Sequence, residues 1–154
     1  MSRPTFFYDG QPVRAAGVLV WTMSRGRIVR LFNNCDGKFE DMGGKTDAMD
    51  NNEIDTAIRE ACEETNGKLF SKFHTNQECA QCLYRHIMKN SIAQYNCRSK
   101  YLLFKVYVDP SILSLNMNRF GLTEETDWGT LPHYYKWCRY IPRQLHVRLR
   151  GMRL

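Results

Sequence analysis

The sequence predicts a single α+β domain, in which strands and helices are mixed without a regular strand–helix–strand alternation. Its 154 residues match the usual size of one domain, and no repeat, low-complexity tract or long linker divides the chain. Hydrophobic residues make up 43% and charged residues 25%, which is typical of a globular fold and excludes a largely disordered chain. We therefore treat residues 1–154 as one domain.

The first third of the chain predicts a β-hairpin. Residues 15–21 form an apolar run typical of a buried strand, and residues 27–32 follow a Ser-Arg-Gly turn as its partner. Residues 38–42 then lead into Gly43 and Gly44, where the backbone needs freedom that a Cβ atom would deny.

The best-defined element is a helix over residues 52–65. Its apolar and small residues recur at helical spacing, and they are Ile54, Ala57, Ile58, Ala61 and Thr65. One of the polar residues 50–52 is predicted to cap its start. Asn66 and Gly67 are predicted to end it, since both tolerate a left-handed conformation.

The second half of the chain predicts a mixture of strands and helices. In order, these are a strand over 68–73, a helix over 78–89, a strand over 101–108, a strand or turn near Trp128, a helix over 132–140, and a basic helix over 143–150 that Pro142 begins. The polar stretch 74–98 is predicted to be an insertion within the domain.

Charge and cysteine content limit the partners and the compartment. The chain has 22 Lys and Arg and 16 Asp and Glu residues, a net charge of +6 that suits an anionic partner such as nucleic acid or polyphosphate. No apolar run approaches the ~18 residues of a membrane span. No signal peptide is recognisable. The six cysteines are expected to be reduced thiols, because a chain of this length buries enough core without disulfides. We expect a cytoplasmic protein that is neither secreted nor membrane-bound, with the nucleus or a viral factory as alternatives.

One face of the predicted helix over 52–65 is acidic. Glu60, Glu63 and Glu64 stand at i, i+3 and i+4, and Glu53 lies seven residues before Glu60. Like charges at these spacings repel by about 0.2–0.5 kcal/mol per pair. Mg²⁺ would offset that repulsion, because it prefers oxygen ligands and is often held by few carboxylates plus substrate phosphates. For an isolated cluster, a solvated acidic face is the simpler interpretation.

The cluster belongs to a longer pattern. The run Gly-Gly-Lys at 43–45, followed by Arg-Glu-Ala-Cys-Glu-Glu-Thr at 59–65, resembles the Nudix box, G-x5-E-x7-R-E-U-x-E-E-x-G-U, where U is aliphatic. The glycine pair, the Arg-Glu pair and the Glu-Glu pair agree in kind and order. The resemblance covers about 25 residues, up to Gly67.

Two departures from the box are present. The spacing from Gly44 to Arg59 is one residue longer than the pattern, and Asn66 is an insertion at the helix end. The first acidic position of the box therefore falls on Asp50 by spacing, or on Glu53 as the nearest glutamate.

The resemblance implies a Nudix-type mixed β-sheet sandwiched between helices, and hydrolysis of a diphosphate linked to another moiety. It implies that Glu60, Glu63 and Glu64 hold Mg²⁺, with Mn²⁺ as a substitute, and that Gly44 lets the loop turn so that these carboxylates face the ion. Arg59 is implied to orient a glutamate of the same helix.

The general base is left open between two places. Glu63 is the candidate on the helix, and Glu125, in the pair with Glu124 before Trp128, is the candidate on a late loop; Glu64 is counted as catalytic through the ion. An exposed acidic loop is the simpler interpretation of that pair.

Further resemblances bear on the substrate. Residues 8–16 resemble the opening segment of diphosphoinositol polyphosphate phosphohydrolases, which also accept dinucleoside polyphosphates. The enlarged loop and the Glu-Glu-Thr-Asn run resemble some virus-encoded Nudix proteins, several of which remove mRNA caps. We therefore expect a Nudix pyrophosphohydrolase acting on a nucleotide-type or other polyphosphorylated substrate, with cap removal as the alternative and a homodimer as one assembly.

Basic and aromatic residues are candidates for substrate contacts. Lys45 and Arg14 are candidates for phosphate binding, and further cations that could face phosphates are Lys38, Arg139, Arg143, Arg148 and Arg150. Residues 133–140 interleave aromatics with cations, so that Tyr135 and Trp137 could stack a base or cap. At helical spacing such aromatics are more often core.

A different class of protein is suggested by cysteine and histidine. The candidate zinc ligands are His74, Cys79, Cys82, His86 and Cys97. A helix over 78–89 would also carry these residues without metal. The corresponding alternative function is a non-catalytic module that binds nucleotide or RNA and has a small zinc site.

Overall fold

A mixed β-sheet forms the centre of the protein in a computed structural model, which describes residues 2–117, 120 and 134–154. Its strands and α-helices are, in chain order, β1 Phe6–Tyr8, β2 Gln11–Val13, β3 Ala15–Ser24, β4 Arg27–Cys35, β5 Lys38–Glu40, β6 Met42–Lys45, α1 Glu53–Glu64, α2 Asn76–Asn90, β7 Ser91–Asn96, β8 Tyr101–Tyr107 and β9 Tyr134–Cys138. Short 3-10 helices lie at Pro110–Ser114 and Val147–Leu149. The predicted α+β class is confirmed. Within the described ranges, no helix is long and apolar enough to cross a membrane.

The long strand β3 organises the sheet. On one edge it pairs in parallel with β8, from Ala15 opposite Tyr101 to Trp21 opposite Tyr107. On the other edge it pairs antiparallel with β4 and β6. β7 extends the sheet beyond β8, while β5 and β9 pair with β4. The predicted hairpin of residues 15–21 and 27–32 is confirmed, as is the strand predicted over 101–108.

The sheet separates two apolar clusters. Val18 and Val20 of β3 face the cluster that contains the buried sides of α1 and α2. Leu19 points to the opposite face, where Leu149 of the second 3-10 helix is buried. Because side chains alternate along a strand, an uninterrupted apolar run supplies both layers. The sheet therefore lies between two α-helices on one face and a 3-10 helix on the other.

Helix α1 forms as predicted, to within one residue at each end. The Asn52 side chain caps it by accepting a bond from the Asp55 amide at 2.8 Å. Asn66 and Gly67 end it with left-handed φ angles of 53° and 70°, and the Gly67 amide donates back to the Cys62 carbonyl at 2.8 Å.

Residues 68–73 do not form the predicted strand. The Lys68 amide donates back to Thr65, so the chain is still turning away from α1 at this point. Leu69 is fully buried and Phe70 stacks on the His86 ring at 4.7 Å. Phe73, by contrast, is 80% exposed, and the backbone of this run joins no strand.

Helix α2 begins two residues before its predicted start. Thr75 and Glu78 form a reciprocal capping box, which fixes that start. The short strands β1, β2 and β7 were not predicted. α2 and β7 lie inside the stretch 74–98 and contact α1 and β8, while the insertion itself stays a prediction.

The predicted helices over 132–140 and 143–150 are wrong for the described residues. β9 pairs with Arg30–Asn34 of β4. Tyr135 and Trp137, two residues apart, both pack on the main core, which is the side-chain spacing of a strand and not of a helix. Further on, the Phe39 amide donates to the Gln144 carbonyl at 2.7 Å. Because the backbone at Gln144 is hydrogen-bonded to β5, the predicted second helix is reduced to a helical turn over Val147–Leu149. The region near Trp128 lies outside the described residues.

Candidate functional site

Arg59 of α1 ties the helix to the loop that follows β6. Its Nε and Nη2 atoms donate to the two carboxylate oxygens of Asp50 at 2.9 and 3.1 Å, and Nη2 also donates to the Lys45 carbonyl at 2.9 Å. Asp50 is buried and accepts a further bond from Thr56 Oγ1 at 2.8 Å. Burial by itself would raise the pKa of Asp50, but the bonds from Arg59 and Thr56 outweigh it and lower that pKa. Asp50, rather than Glu53, is therefore the acidic partner of Arg59.

The same guanidinium also contacts two glutamates of its own helix. Nη1 of Arg59 lies 3.1 Å from Glu60 Oε1 and 3.4 Å from Glu63 Oε2. The two side chains differ in exposure, at 18% for Glu60 and 57% for Glu63. Burial raises the pKa of Glu60 and the charge of Arg59 opposes that rise. Glu60 is thus largely shielded from solvent, whereas Glu63 is exposed to it.

Gly44 of β6 makes room for Glu60. A Cβ atom at this position would lie 2.5 Å from both Cδ and Oε1 of Glu60, which is closer than real Cβ contacts come. The absence of a side chain therefore lets the carboxylate rest directly on the β6 backbone.

Glu64 lies one turn beyond Glu60. Its Oε2 atom is shielded from solvent and has no hydrogen-bond partner among the described residues. Burial raises the pKa of Glu64 well above its ordinary value; Arg148 opposes this rise, while Asp41 adds to it. An unpartnered buried carboxylate oxygen is costly, so this atom marks a place where a cation or a donor would stabilise the protein.

A buried polar cluster lies against these glutamates. Arg148 donates from Nε to Asp41 Oδ1 at 2.9 Å and from Nη2 to the Asp41 carbonyl at 3.1 Å, and its Nη2 lies 3.8 Å from Glu40 Oε2. The Tyr101 hydroxyl donates to the other Asp41 oxygen. Asp41 and Tyr101 are fully buried. Arg148 is thus an internal counter-charge and does not face phosphates.

This cluster was not predicted from the sequence. Its one local signal is the acidic pair Glu40-Asp41 just before the two glycines, since Tyr101 and Arg148 are distant in sequence. The aromatic candidate Tyr135 lies at its edge and donates from its hydroxyl to the Glu64 carbonyl at 3.0 Å.

The donor set fits magnesium better than a metal held by protein alone. Within residues 2–117, 120 and 134–154, no three His, Cys, Asp or Glu side chains surround a single point suited to an ion. Glu60 and Glu64 nevertheless offer two carboxylates, one with an unpartnered oxygen. One or two carboxylates are the usual protein share when substrate phosphates complete the shell of Mg²⁺.

The described residues do not form the alternative zinc site. Cys79 is buried in the core beside Cys62, and Cys97 is exposed. His86 Nδ1 lies 2.8 Å from the Cys82 carbonyl and 3.7 Å from Cys82 Sγ. The sulfur and nitrogen atoms therefore do not converge as a tetrahedral site requires.

The remaining candidates are scattered. Lys45 is exposed at the end of β6. Arg14 is engaged within the protein, because its Nη1 donates to two carbonyls and one hydroxyl of residues 3–5 at 2.8–3.1 Å. Trp137 packs on the core and its buried Nε1 has no partner among the described residues. Glu125 lies outside the described residues.

Comparison with known proteins gives weak structural similarities only. No family model and no curated protein matches the chain. A solved binary complex of a C. elegans Ap4A hydrolase is 17% identical, covers 82% of this chain and 80% of its own, and has a TM-score of 0.45. Another structure of C. elegans Ap4A hydrolase is 18% identical over the same shares, with a TM-score of 0.44. Similarity of this degree assigns no activity to the chain.

Proposed function

We propose that the protein is a Mg²⁺-dependent pyrophosphohydrolase that cleaves a diphosphate bond in a nucleotide-type or other polyphosphorylated substrate. The observation that carries the proposal is the pairing of Glu60 with Glu64, whose Oε2 is buried and unpartnered among the described residues. The Arg59–Asp50 pair fixes the helix that bears both carboxylates. The resemblance of residues 43–67 to the Nudix box supports the same chemistry.

Each residue of the site has a distinct task in this proposal. Glu60 and Glu64 would hold the ion, and Arg59 positions Glu60 through Nη1. Lys45, exposed at the end of β6, would bind a phosphate oxygen. Bound Mg²⁺ would supply charge neutralisation for the diphosphate and a lower pKa for an attacking water. Glu63, at the solvent side, and Glu125 are the candidates for the general base.

A product assay over a small panel tests the proposal. The panel holds capped RNA, nucleoside di- and triphosphates, diadenosine polyphosphates and a diphosphoinositol polyphosphate, each with Mg²⁺ and with EDTA. We expect turnover of at least one member with Mg²⁺, loss of turnover in EDTA, and recovery when Mg²⁺ or Mn²⁺ is added back. Binding without turnover of any member would instead favour the non-catalytic module.

Gly44→Ala tests whether the room for Glu60 is functional. The new Cβ would displace the Glu60 carboxylate, and a misplacement of about 1 Å in a catalytic group can lower kcat about a hundredfold. The variant is compared with the wild type on whichever panel member is turned over, and its thermal unfolding is recorded alongside.

A double-variant cycle provides the control for Gly44→Ala. If the glycine acts only through Glu60, the pair Gly44→Ala/Glu60→Gln should be no slower than Glu60→Gln alone. Independent, multiplying losses would contradict a role for Gly44 in placing that carboxylate.

A further inference from the structure

We propose that a groove beside β9 binds single-stranded nucleic acid. The groove has a volume of about 550 Å³ and is lined by Phe39 of β5 and by residues 136–144. Two of these lining residues are bonded to each other, since the Phe39 amide donates to the Gln144 carbonyl at 2.7 Å. None of the proposed ion-holding carboxylates lines it, so its occupant is additional to the substrate of the hydrolase.

The net charge of the chain equals that of its last 21 residues, part of which line this groove. Residues 134–154 contain six of the 22 Lys and Arg residues and none of the 16 Asp and Glu residues, so this segment accounts for the entire net charge of +6. Of the six, Arg148 is used internally by Asp41. The other five are exposed, and they are Lys136, Arg139, Arg143, Arg150 and Arg153.

These five cations are available to an anionic partner. None of them forms an ion pair within the part of the chain that the structure describes. Lys136, Arg139 and Arg143 line the groove itself. Several unpaired cations along one groove suit a polyanion with repeated phosphates better than a single phosphate group.

Aromatic rings at the groove indicate that the polyanion carries bases. The Tyr140 side chain is 75% exposed, and the Arg139 guanidinium lies 5.8 Å from the centre of its ring. Phe39 contributes a second ring, packed edge-on against Phe32. Cationic grooves with exposed rings are the usual means of binding single strands, because the rings stack on bases and the cations follow the backbone.

The sheet separates the groove from the carboxylate site. Phe39 lines the groove, and the next residue, Glu40, lies 3.8 Å from Arg148 in the buried cluster. On β9, Lys136 lines the groove while its neighbour Tyr135 bonds to Glu64. Because successive residues of a strand point to opposite faces of the sheet, the groove and the carboxylates of α1 lie on opposite sides of it, and binding in the groove does not depend on the proposed function.

Anisotropy with labelled oligonucleotides of about 12 nucleotides, a length that one such site can cover, tests the proposal. RNA and DNA strands with a 5′-hydroxyl end are titrated in EDTA over a range of salt concentrations, so that no diphosphate bond and no Mg²⁺ is present. We expect binding that weakens as salt rises. In a plot of log binding constant against log salt concentration, each phosphate contact of a single strand contributes about −0.7 to the slope. The double variant Arg139→Gln/Arg143→Gln should therefore have a slope that is about 1.4 less negative. Tyr140→Ala should weaken binding on the order of tenfold at fixed salt.

A matched variant on the other side of the protein is the control. Lys72→Gln/Lys89→Gln removes the same charge from exposed positions near and on α2, and it should leave the slope unchanged. Absence of binding, equal loss in both double variants, or binding of duplex as tight as that of a single strand would each overturn the proposal. Glu64→Gln should bind oligonucleotide like the wild type. If the wild type binds oligonucleotide but hydrolyses no member of the substrate panel, only the proposed hydrolase is refuted. If it hydrolyses a member but binds no oligonucleotide, only the proposed groove is refuted.

Discussion

Glu64→Gln is expected to lower kcat on the order of a thousandfold, the upper part of the range for removing one electrostatic group from an active site. The buried Oε2 atom of Glu64 has no hydrogen-bond partner among the described residues. Replacing the carboxylate with the amide of Gln therefore removes the negative charge without breaking a hydrogen bond of that atom. Burial raises the pKa of Glu64 well above its ordinary value, which means that the ionised carboxylate destabilises the folded state in the absence of a cation.

The same substitution should therefore leave stability unchanged or improve it in EDTA. Thermal unfolding with EDTA and with Mg²⁺ measures this, and the stabilisation by Mg²⁺ should shrink in the variant. Glu53→Gln, an equal change in the first turn of α1, is the matched control and should stay within about twofold of the wild type in kcat, since such changes away from a site have small effects. Full activity of Glu64→Gln would refute the assignment of this carboxylate.

Arg148→Met is expected to lower the free energy of unfolding by about 3–5 kcal/mol, the usual result of removing one partner of a buried ion pair. Arg148 keeps 13% of its side chain exposed and Asp41 none, so Asp41 would be left charged, buried and without its two-bond partner. Glu40, whose pKa burial already raises, would lose the same neighbour.

Arg150→Met is the matched control for Arg148→Met. Arg150 is exposed, and its Nε bonds only to the Leu145 carbonyl at 3.2 Å within the described part of the chain. Its loss should change stability by about 0.5 kcal/mol or less. Denaturant unfolding at neutral pH measures both variants, and equal losses in the two would show that the buried pair has no special weight.

The elements predicted well are those with a strong local pattern. The apolar run of β3 and the 3.6-residue stripe of α1 each carry enough residues to decide between strand and helix. β9 was missed because Tyr135 and Trp137 alternate over only five residues, and interleaved cations make such a short run equally compatible with a helix.

The residues of the candidate site also differ in whether a local sequence pattern predicts them. Glu60, Glu64 and Arg59 lie on one helix, so their relation can be derived from spacing alone. The choice of Asp50 over Glu53 depends on the path of the enlarged loop, which spacing does not fix. The contacts of Asp41 with Tyr101 and Arg148 join parts of the chain that no local pattern connects.

The parallel pairing of β3 with β8 affects how fast the molecule can assemble. The hairpin of β3 and β4 closes a short loop and can form in about 1–10 μs. Ala15 meets Tyr101 only after a long loop has closed, and such non-local pairing slows the whole transition. The loop, Arg59 and Glu60 are near one another in sequence and can associate early, whereas Tyr101 and Arg148 arrive late. We therefore expect Asp41 to gain its counter-charge, Arg148, only when these long-range contacts form.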